Sequence, residues 1–411
     1  MELLHARCAA LDIGKKDLKA CVRLPPVAGR KARRQEIRTF ATTTNALLEL
    51  RDWLIESNVT LVVMEATSDY WRAPFYLLED DLNVILVNAA HAKGLPGRKT
   101  DVADAAWLCQ LGECGLLKAS FVPPEPIREL RDLTRYRATL AQERTREASR
   151  LEKELEDAGI KLSAVATNIL GTSSRLMLQA LIDGEQDVHV MAELAKTRMR
   201  ARIPDLVQAL NGNFREHHAF LCRMHLERID QITEAIVQIS ARIEEAMRPF
   251  ARQLELLQTI PGIGQSNAEV IIAETGADMT RFRTAGHLAS WAGTTPGHYE
   301  SAGKSRSGKT RHGNRWLAGT LGIAAMSAAK TKDTYLSARY KRLTPRLGKK
   351  KALVALQHNM LTAIWHMLTA DVPYQDLGAD YFDRLDPDRA KRRAIAQLHR
   401  LGYQVELTLA A

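Results

Sequence analysis

Hydrophobic and polar positions change rhythm twice along the 411 residues. In the first third, short apolar runs alternate with amphipathic ones. Residues 8–23 read as an apolar strand, a Gly-Lys-Lys-Asp turn and a second strand, a β-hairpin with Asp12 on its first strand. A third strand is expected at 37–41, then a helix over 45–56 with Leu47, Leu48, Leu50, Trp53 and Leu54 on its apolar face. Residues 60–65 read as a short buried strand ending in Glu65, 70–78 as a helix, 83–87 as another buried strand, and 99–104 as the opening of a helix that runs to Leu111. This hairpin-first alternation predicts a mixed sheet covered by helices.

Past Pro123-Pro124-Glu125-Pro126 the period becomes helical. Residues 128–156 carry Leu130, Leu133, Leu140, Leu151 and Leu155 as an interrupted stripe. Ile229, Ile232, Ile236, Ile239, Ile243, Met247, Phe250, Leu254 and Leu257 then follow at spacings of three or four, a near-heptad seam. Two long helices should therefore pair, within one chain or between chains, with Pro249 breaking the second. Residues 161–218 show no clear period. Later, 316–329, 335–342 and 349–368 read as helices, with Trp365 in their core, and the chain from Val372 as a peripheral helix and tail. The expected domains are 1–122, 123–256, 257–375 and 376–411: an α/β domain, a helical and coiled-coil region, an all-α domain and a tail.

Charge sharpens this division. The net charge is +10, and residues 256–411 carry all of it, with 22 Lys/Arg against 12 Asp/Glu. Between Arg281 and Lys351 sixteen basic residues face only Glu300 and Asp333, a density that suits a polyanion surface. Cys8, Cys21, Cys109, Cys114 and Cys222 include no Cys-x-x-Cys pair, which argues against structural zinc and for reduced thiols. There is no secretory leader pattern and no uncharged apolar run long enough to span a bilayer, so the expected location is the cytoplasm, with no membrane partner.

Two groups of residues carry candidate chemistry. Asp12, Glu65, Asp101 and Asp104 each stand at a strand or helix end of the α/β domain, and Asp101 and Asp104 are spaced to share a helix face. Clustered carboxylates need a cation, and oxygen ligands select Mg²⁺ or Mn²⁺, ions suited to phosphoryl transfer. The second group is the segment Ser301–Arg315. It holds Ser301, Ser305 and Ser307, three glycines and the cations Lys304, Arg306, Lys309, Arg311 and Arg315, with no acid. Its hydroxyls could attack phosphorus, and its cations could neutralise a phosphate backbone. Ahead of it, the turn of Pro261, Gly262, Ile263 and Gly264 resembles a helix-hairpin-helix element, whose amides and following helix N-terminus can face a phosphate.

The motifs Leu11-Asp12-Ile13-Gly14, Met64-Glu65-Ala66-Thr67, Lys99-Thr100-Asp101-Val102-Ala103-Asp104, Ile260-Pro261-Gly262-Ile263-Gly264, Arg281-Phe282, Ala289-Ser290-Trp291-Ala292-Gly293, Tyr299-Glu300-Ser301 and Gly313-Asn314 occur in that order. Together they resemble the insertion-sequence transposases with an N-terminal DEDD RuvC-like domain and a C-terminal serine domain, relatives of the pilin-gene-inverting recombinases. The resemblance implies an RNase H-like α/β domain whose tetrad Asp12, Glu65, Asp101 and Asp104 binds divalent metal, and Ser301 as a nucleophile that forms a phosphoserine link to DNA. It further implies a dimer or tetramer with composite active sites, donor and target DNA as substrates, a noncoding guide (bridge) RNA, and association with the nucleoid when active. A structure-specific endonuclease of the Holliday-junction type, using the same carboxylates with water, is the alternative. A nucleic-acid-binding scaffold without chemistry is a weaker one.

Overall fold

The computed structural model describes residues 3–26, 32–88, 101–297, 300–301, 303–305, 309–310 and 312–407; for residues 101–103, Glu300, Ser301, Lys304 and Ser305 the backbone alone is described. The chain divides between Pro123 and Pro124 into two compact units.

The first unit begins with β1 (Cys8–Ile13), β2 (Asp17–Leu24) and β3 (Arg34–Ala41), an antiparallel meander. Gly14 closes the β1–β2 turn by donating its amide to Asp17 O at 2.9 Å. α1 (Thr44–Glu56) then returns the chain to β4 (Leu61–Glu65), which lies parallel to β1, and α2 (Arg72–Leu78) leads to β5 (Val84–Val87), parallel to β4. The five strands lie in the order β3-β2-β1-β4-β5. This mixed sheet is consistent with the expected RNase H-like α/β domain.

β1 and β4 are apolar on both faces because both faces are covered. Ala9, Leu11, Ile13, Val62 and Met64 pack with Leu47, Leu50, Trp53 and Leu54 of α1. Cys8, Ala10, Leu61, Val63 and Val87 pack with Ala105, Leu108 and Cys109 of α3 (Asp101–Glu113). β3 is one edge of the sheet, and its exposed Arg34, Gln35 and Arg38 keep that edge polar.

In the second unit, α4 (Glu125–Asp157) and α9 (Glu216–Met247) form a long antiparallel pair. His218 meets Asp157 at 3.1 Å near one end, and His225 meets Glu147 at 2.7 Å farther along. The isoleucine seam therefore packs within the chain. Burial acts to raise the Glu147 carboxyl pKa, but hydrogen bonds from His225 and Arg150 outweigh it and hold the group below the ordinary range. Between the long helices lie α5 (Leu162–Val165), α6 (Thr172–Ile182), α7 (Val188–Glu193) and α8 (Ile203–Ala209), which share a core with Leu151, Leu155, Cys222 and Ile229. The longest of these four has 11 residues, too few for a helical period to stand out, so residues 161–218 carry no visible pattern.

Pro249 ends α9 in a single 3₁₀ turn, Arg248–Phe250, and α10 (Ala251–Gln258) follows. α11 (Gln265–Thr275), α12 (Ala285–Trp291), α13 (Arg315–Lys330), α14 (Tyr335–Leu347) and α15 (Lys349–Ala370) complete the bundle, with Leu317, Leu321, Leu356, Met360 and Ile364 fully buried. Trp365 is half-buried and donates Nε1–H to Phe282 O at 2.9 Å, a structural role. α16 (Tyr381–Leu385) and α17 (Pro387–Arg400) have no buried residue.

The C-terminal part departs from an all-α expectation at one place. β6 (Glu300–Ser301) and β7 (Lys304–Ser305) form a two-stranded antiparallel ribbon. Between them Gly303 adopts φ +74°, the left-handed conformation that glycine accepts at no steric cost. Strands of two residues carry too little alternation to be read from sequence. No helix among the described residues is long and apolar enough to cross a membrane.

Candidate active site

Topology directs the carboxylates of the first unit toward one end of the sheet. The β1–β4 register pairs Leu11 with Met64, so the next residues along, Asp12 and Glu65, lie side by side near the end of β1 and at the end of β4. Alternation from Leu11 and Met64, which join the α1-side core, puts Asp12 and Glu65 on the opposite face, the one α3 covers. The direction of α3 then decides where Asp104 lies. Cys109 Sγ donates to Cys8 O at 3.2 Å, and a Cβ on Gly112 would touch Val63, Cys8 and Leu61. The C-terminal half of α3 therefore lies over the strand starts, and its N-terminal half, with Asp104, runs toward the strand ends.

From Cys109 to Asp104 the helix climbs roughly 8 Å, and from Cys8 to Asp12 the strand advances roughly 13 Å. Asp101, one turn earlier on the same helix, makes up much of the difference by backbone position. Asp12, Glu65 and Asp104 are all half-buried. Carboxylate oxygens of this kind suit a hard divalent cation. Among the described residues no three His, Cys, Asp or Glu side chains converge closely enough to hold one, and the Asp101 side chain lies outside that description.

The serine segment is built as a ribbon on a fixed base. Its register pairs Ser301 with Lys304 and Glu300 with Ser305, so Ser301 and Ser305 occupy different rungs. Nearer the base, Pro296 bridges to Thr310 and Gly297 donates its amide to Lys309 O at 3.0 Å. Lys309 and Arg315 are exposed, and the Arg315 guanidinium lies 4.8 Å from the centre of the Trp316 ring. Arg306, Ser307 and Arg311 lie outside the described residues.

Gly262 and Gly264 have different reasons to be glycine. Gly262 adopts φ +90°, and a Cβ there would lie 2.4 Å from Ala324 O and 2.6 Å from Ala328 N of α13. Its place is a close approach of backbone to helix. Gly264 is exposed, is the N-cap of α11 and would have nothing within 4 Å of an added Cβ, so its amide region is the one open to a phosphate. Gly262→Ala is expected to destabilise the protein by about 1–3 kcal/mol through overpacking and a strained φ, whereas Gly264→Ala leaves the melting temperature nearly unchanged. Thermal denaturation of the two variants checks this; equal melting temperatures would count against the assignment.

Sequence reasoning missed the residues that hold the ribbon's base. Glu274 is fully buried in the last turn of α11. It accepts from Arg135 through both oxygens, at 2.7 and 2.8 Å, and from Asn314 Nδ2 at 2.6 Å. Only the pair Gly313-Asn314 signalled this region in advance, because partners 139 and 40 residues from Glu274 leave no local pattern.

Comparison with known proteins defines the class. Residues 9–160 match the DEDD model of the IS110 type, described as a transposase, and residues 254–341 match the model described as "Transposase IS116/IS110/IS902 family". The chain carries the transposase domains of the IS110 family. The transposase-named protein y4pF/y4sB of Sinorhizobium fredii is 25% identical over 325 residues, 77% of this chain and 74% of that protein. A pilin gene-inverting protein of Moraxella bovis is 24% identical over 349 residues, covering 82% and 89%. The 42 kDa protein of insertion element IS900 from Mycobacterium paratuberculosis is 28% identical over 265 residues, covering 60% and 65%.

Proposed function

We propose that this transposase is an RNA-guided DNA recombinase of an insertion sequence, acting with divalent metal through a phosphoserine link at Ser301. The observation that carries the reading is the serine ribbon: Ser301 stands in a strongly basic, acid-poor segment that a buried polar cluster anchors. A mobile basic linker would need no such base. A hydrolytic nuclease would need no serine there.

In the proposed reaction the Ser301 hydroxyl gives up its proton as its oxygen bonds to phosphorus, and the bond from phosphorus to one deoxyribose oxygen breaks, that oxygen taking a proton. Attack by a hydroxyl of the other DNA strand then forms a new phosphodiester and returns the proton to Ser301. One phosphoester bond is traded for another at each step, so joining needs no external energy source. Lys304, Arg306, Lys309 and Arg311 offset charge on the phosphate, and Arg315 and the first-turn amides after Gly264 hold the backbone. Asp12, Glu65, Asp101 and Asp104 would hold Mg²⁺ or Mn²⁺, which supplies charge stabilisation at the reacting phosphate. Action as a dimer or tetramer and guidance by a noncoding RNA rest on the family resemblance, and the relative named for inverting a pilin gene supports strand rejoining rather than cutting alone.

The test is recombination of two labelled DNA duplexes, donor and target, with the protein, Mg²⁺ and the RNA transcribed from beside the gene, without ATP. Joined products that depend on the RNA are expected. Cleaved ends that are never rejoined would favour the Holliday-junction-type endonuclease.

A further inference from the structure

We propose that Glu274, Asn314 and Arg135 form a positioning hub that fixes the orientation of the serine ribbon during reaction, an inference that rests on Ser301 being the nucleophile. Glu274 is an odd choice for stability alone. A carboxylate in the last turn of a helix opposes the helix dipole, and a fully buried one carries a large desolvation cost unless it is well paired. An apolar side chain of similar volume would avoid both costs.

The compensation is extensive. Arg135 grips both oxygens, Arg131 Nε lies 3.6 Å away, and Arg131 also donates to Ala273 O at 3.0 Å, capping the end of α11. One turn and a half earlier, buried Glu269 pairs with Arg137 at 2.6 Å, so α11 is fastened to α4 at two points. What these ion pairs present to the rest of the molecule is a fixed carboxylate oxygen, and Asn314 takes it.

Every polar group of Asn314 that the hub uses is committed. Its Nδ2 donates to Glu274 Oε2 at 2.6 Å, its Oδ1 accepts from the amides of Trp316 and Leu317 at 3.0 and 3.1 Å, and its own amide donates to Trp291 O at 3.1 Å. One residue thereby joins α11, the end of α12 and the start of α13. Beside it the two ends of the serine segment touch backbone to backbone, since a Cβ on Gly313 would lie 2.3 Å from Gly293 N. Buried Thr294 is pinned to Ala289 O through its amide at 3.0 Å and its hydroxyl at 3.1 Å. Among the described residues the chain pairs next to this base at Pro296 and Thr310 and at Gly297 and Lys309, and again in the ribbon at Ser301 and Lys304.

On this proposal the ribbon acts as a lever held at its base. The seven residues from Thr294 to Ser301 can reach up to roughly 20 Å, so a tilt of about 5° at the base moves the tip by about 2 Å, and a misplacement of about 1 Å at a reacting centre can cost on the order of 100-fold in rate. Glu274 and Asn314 touch no substrate; they act through Ser301.

The decisive variant is Asn314→Asp in the full chain with its RNA. Aspartate keeps the capping oxygen for the amides of Trp316 and Leu317, but it replaces the Nδ2 donor with an acceptor facing Glu274. As a helix cap alone Asp serves as well as Asn, and the melting temperature of the variant separates a loss of fold, caused by the added charge beside Glu274, from a loss of ribbon orientation. The hub predicts that formation of the Ser301–DNA adduct on a nicked substrate slows about 100-fold, that DNA affinity stays within about twofold, and that the Gly297 amide exchanges faster with solvent. Adding Glu274→Gln swaps donor and acceptor across the contact at unchanged net charge, and the double variant should recover most of the lost rate.

Asn314→Asp reacting at the parent rate, or a double variant no better than the single one, would overturn the hub. If Asn314→Asp does not fold, Asn314→Ser, which retains a capping oxygen but cannot reach Glu274, carries the same comparison. If the parent protein itself forms no adduct, the reading of Ser301 fails, and the Gly297 amide still decides the hub: unchanged exchange in Asn314→Asp refutes it.

Discussion

Asp12→Asn is expected to abolish DNA strand cleavage, by on the order of 1000-fold or more, while the protein remains folded. The substitution is nearly isosteric, and Asp12 lies near the end of a strand whose neighbours Leu11 and Ile13 remain buried in the α1-side core. What it removes is one anionic oxygen from the proposed metal-binding set, whose members lie toward the ends of β1 and β4 and in the N-terminal half of α3. If Asp12, Glu65 and Asp104 hold the same ion, as proposed, the double variant Asp12→Asn/Asp104→Asn should be little worse than either single one. Cleavage assays in Mg²⁺, with melting temperature as the control for folding, check this. Undiminished cleavage by Asp12→Asn would remove the carboxylates from the mechanism.

Ser301→Ala should eliminate the covalent protein–DNA adduct altogether and leave noncovalent DNA binding intact, because in the proposed reaction the hydroxyl supplies the bond and the surrounding cations supply the affinity. Ser305→Ala and Ser307→Ala should retain the adduct. The backbone register keeps Ser301 and Ser305 on different rungs, opposite Lys304 and Glu300 respectively, so the two variants report on separate positions. An adduct that persists in Ser301→Ala and disappears in Ser305→Ala would move the nucleophile by one rung while keeping the chemistry.

Much of the fold was legible because its signals are local. β1, β4 and β5 are short apolar runs between polar punctuation, and the seam from Ile229 to Met247 repeats at helical spacing, so strands and long helices could be located. That seam could not reveal whether its partner was α4 of the same chain, because pairing between helices depends on loops and length as well as on stripes. One of the two turn glycines has a packing reason that no local pattern carries. Gly262 read as a phosphate-facing turn residue, yet its missing Cβ is accounted for by Ala324 and Ala328 of the distant helix α13.

The candidate carboxylates stood out as isolated acids at element ends, and the serine as a hydroxyl among cations. The hub at Glu274 did not stand out. A glutamate near the end of a helix is ordinary in sequence, and its significance lies in burial and in contacts from Arg135, 139 residues away, and Asn314, 40 residues away. The ribbon was equally hidden, since strands of two residues have no periodicity and are specified by a left-handed glycine and by the bridges at their base.

The phosphoserine mechanism is tested most directly by mapping the covalent link itself. The full chain, its RNA, Mg²⁺ and a nicked DNA substrate that prevents religation are combined, denatured and digested, and the DNA-bearing peptide is sequenced by mass spectrometry. The mechanism predicts a nucleotide attached to the Ser301 oxygen, with no such peptide from Ser301→Ala or from Asp12→Asn. Attachment at another residue would contradict the assignment of the nucleophile, and complete strand cleavage with no protein–DNA link at any time would contradict the recombinase mechanism and make water the attacking group.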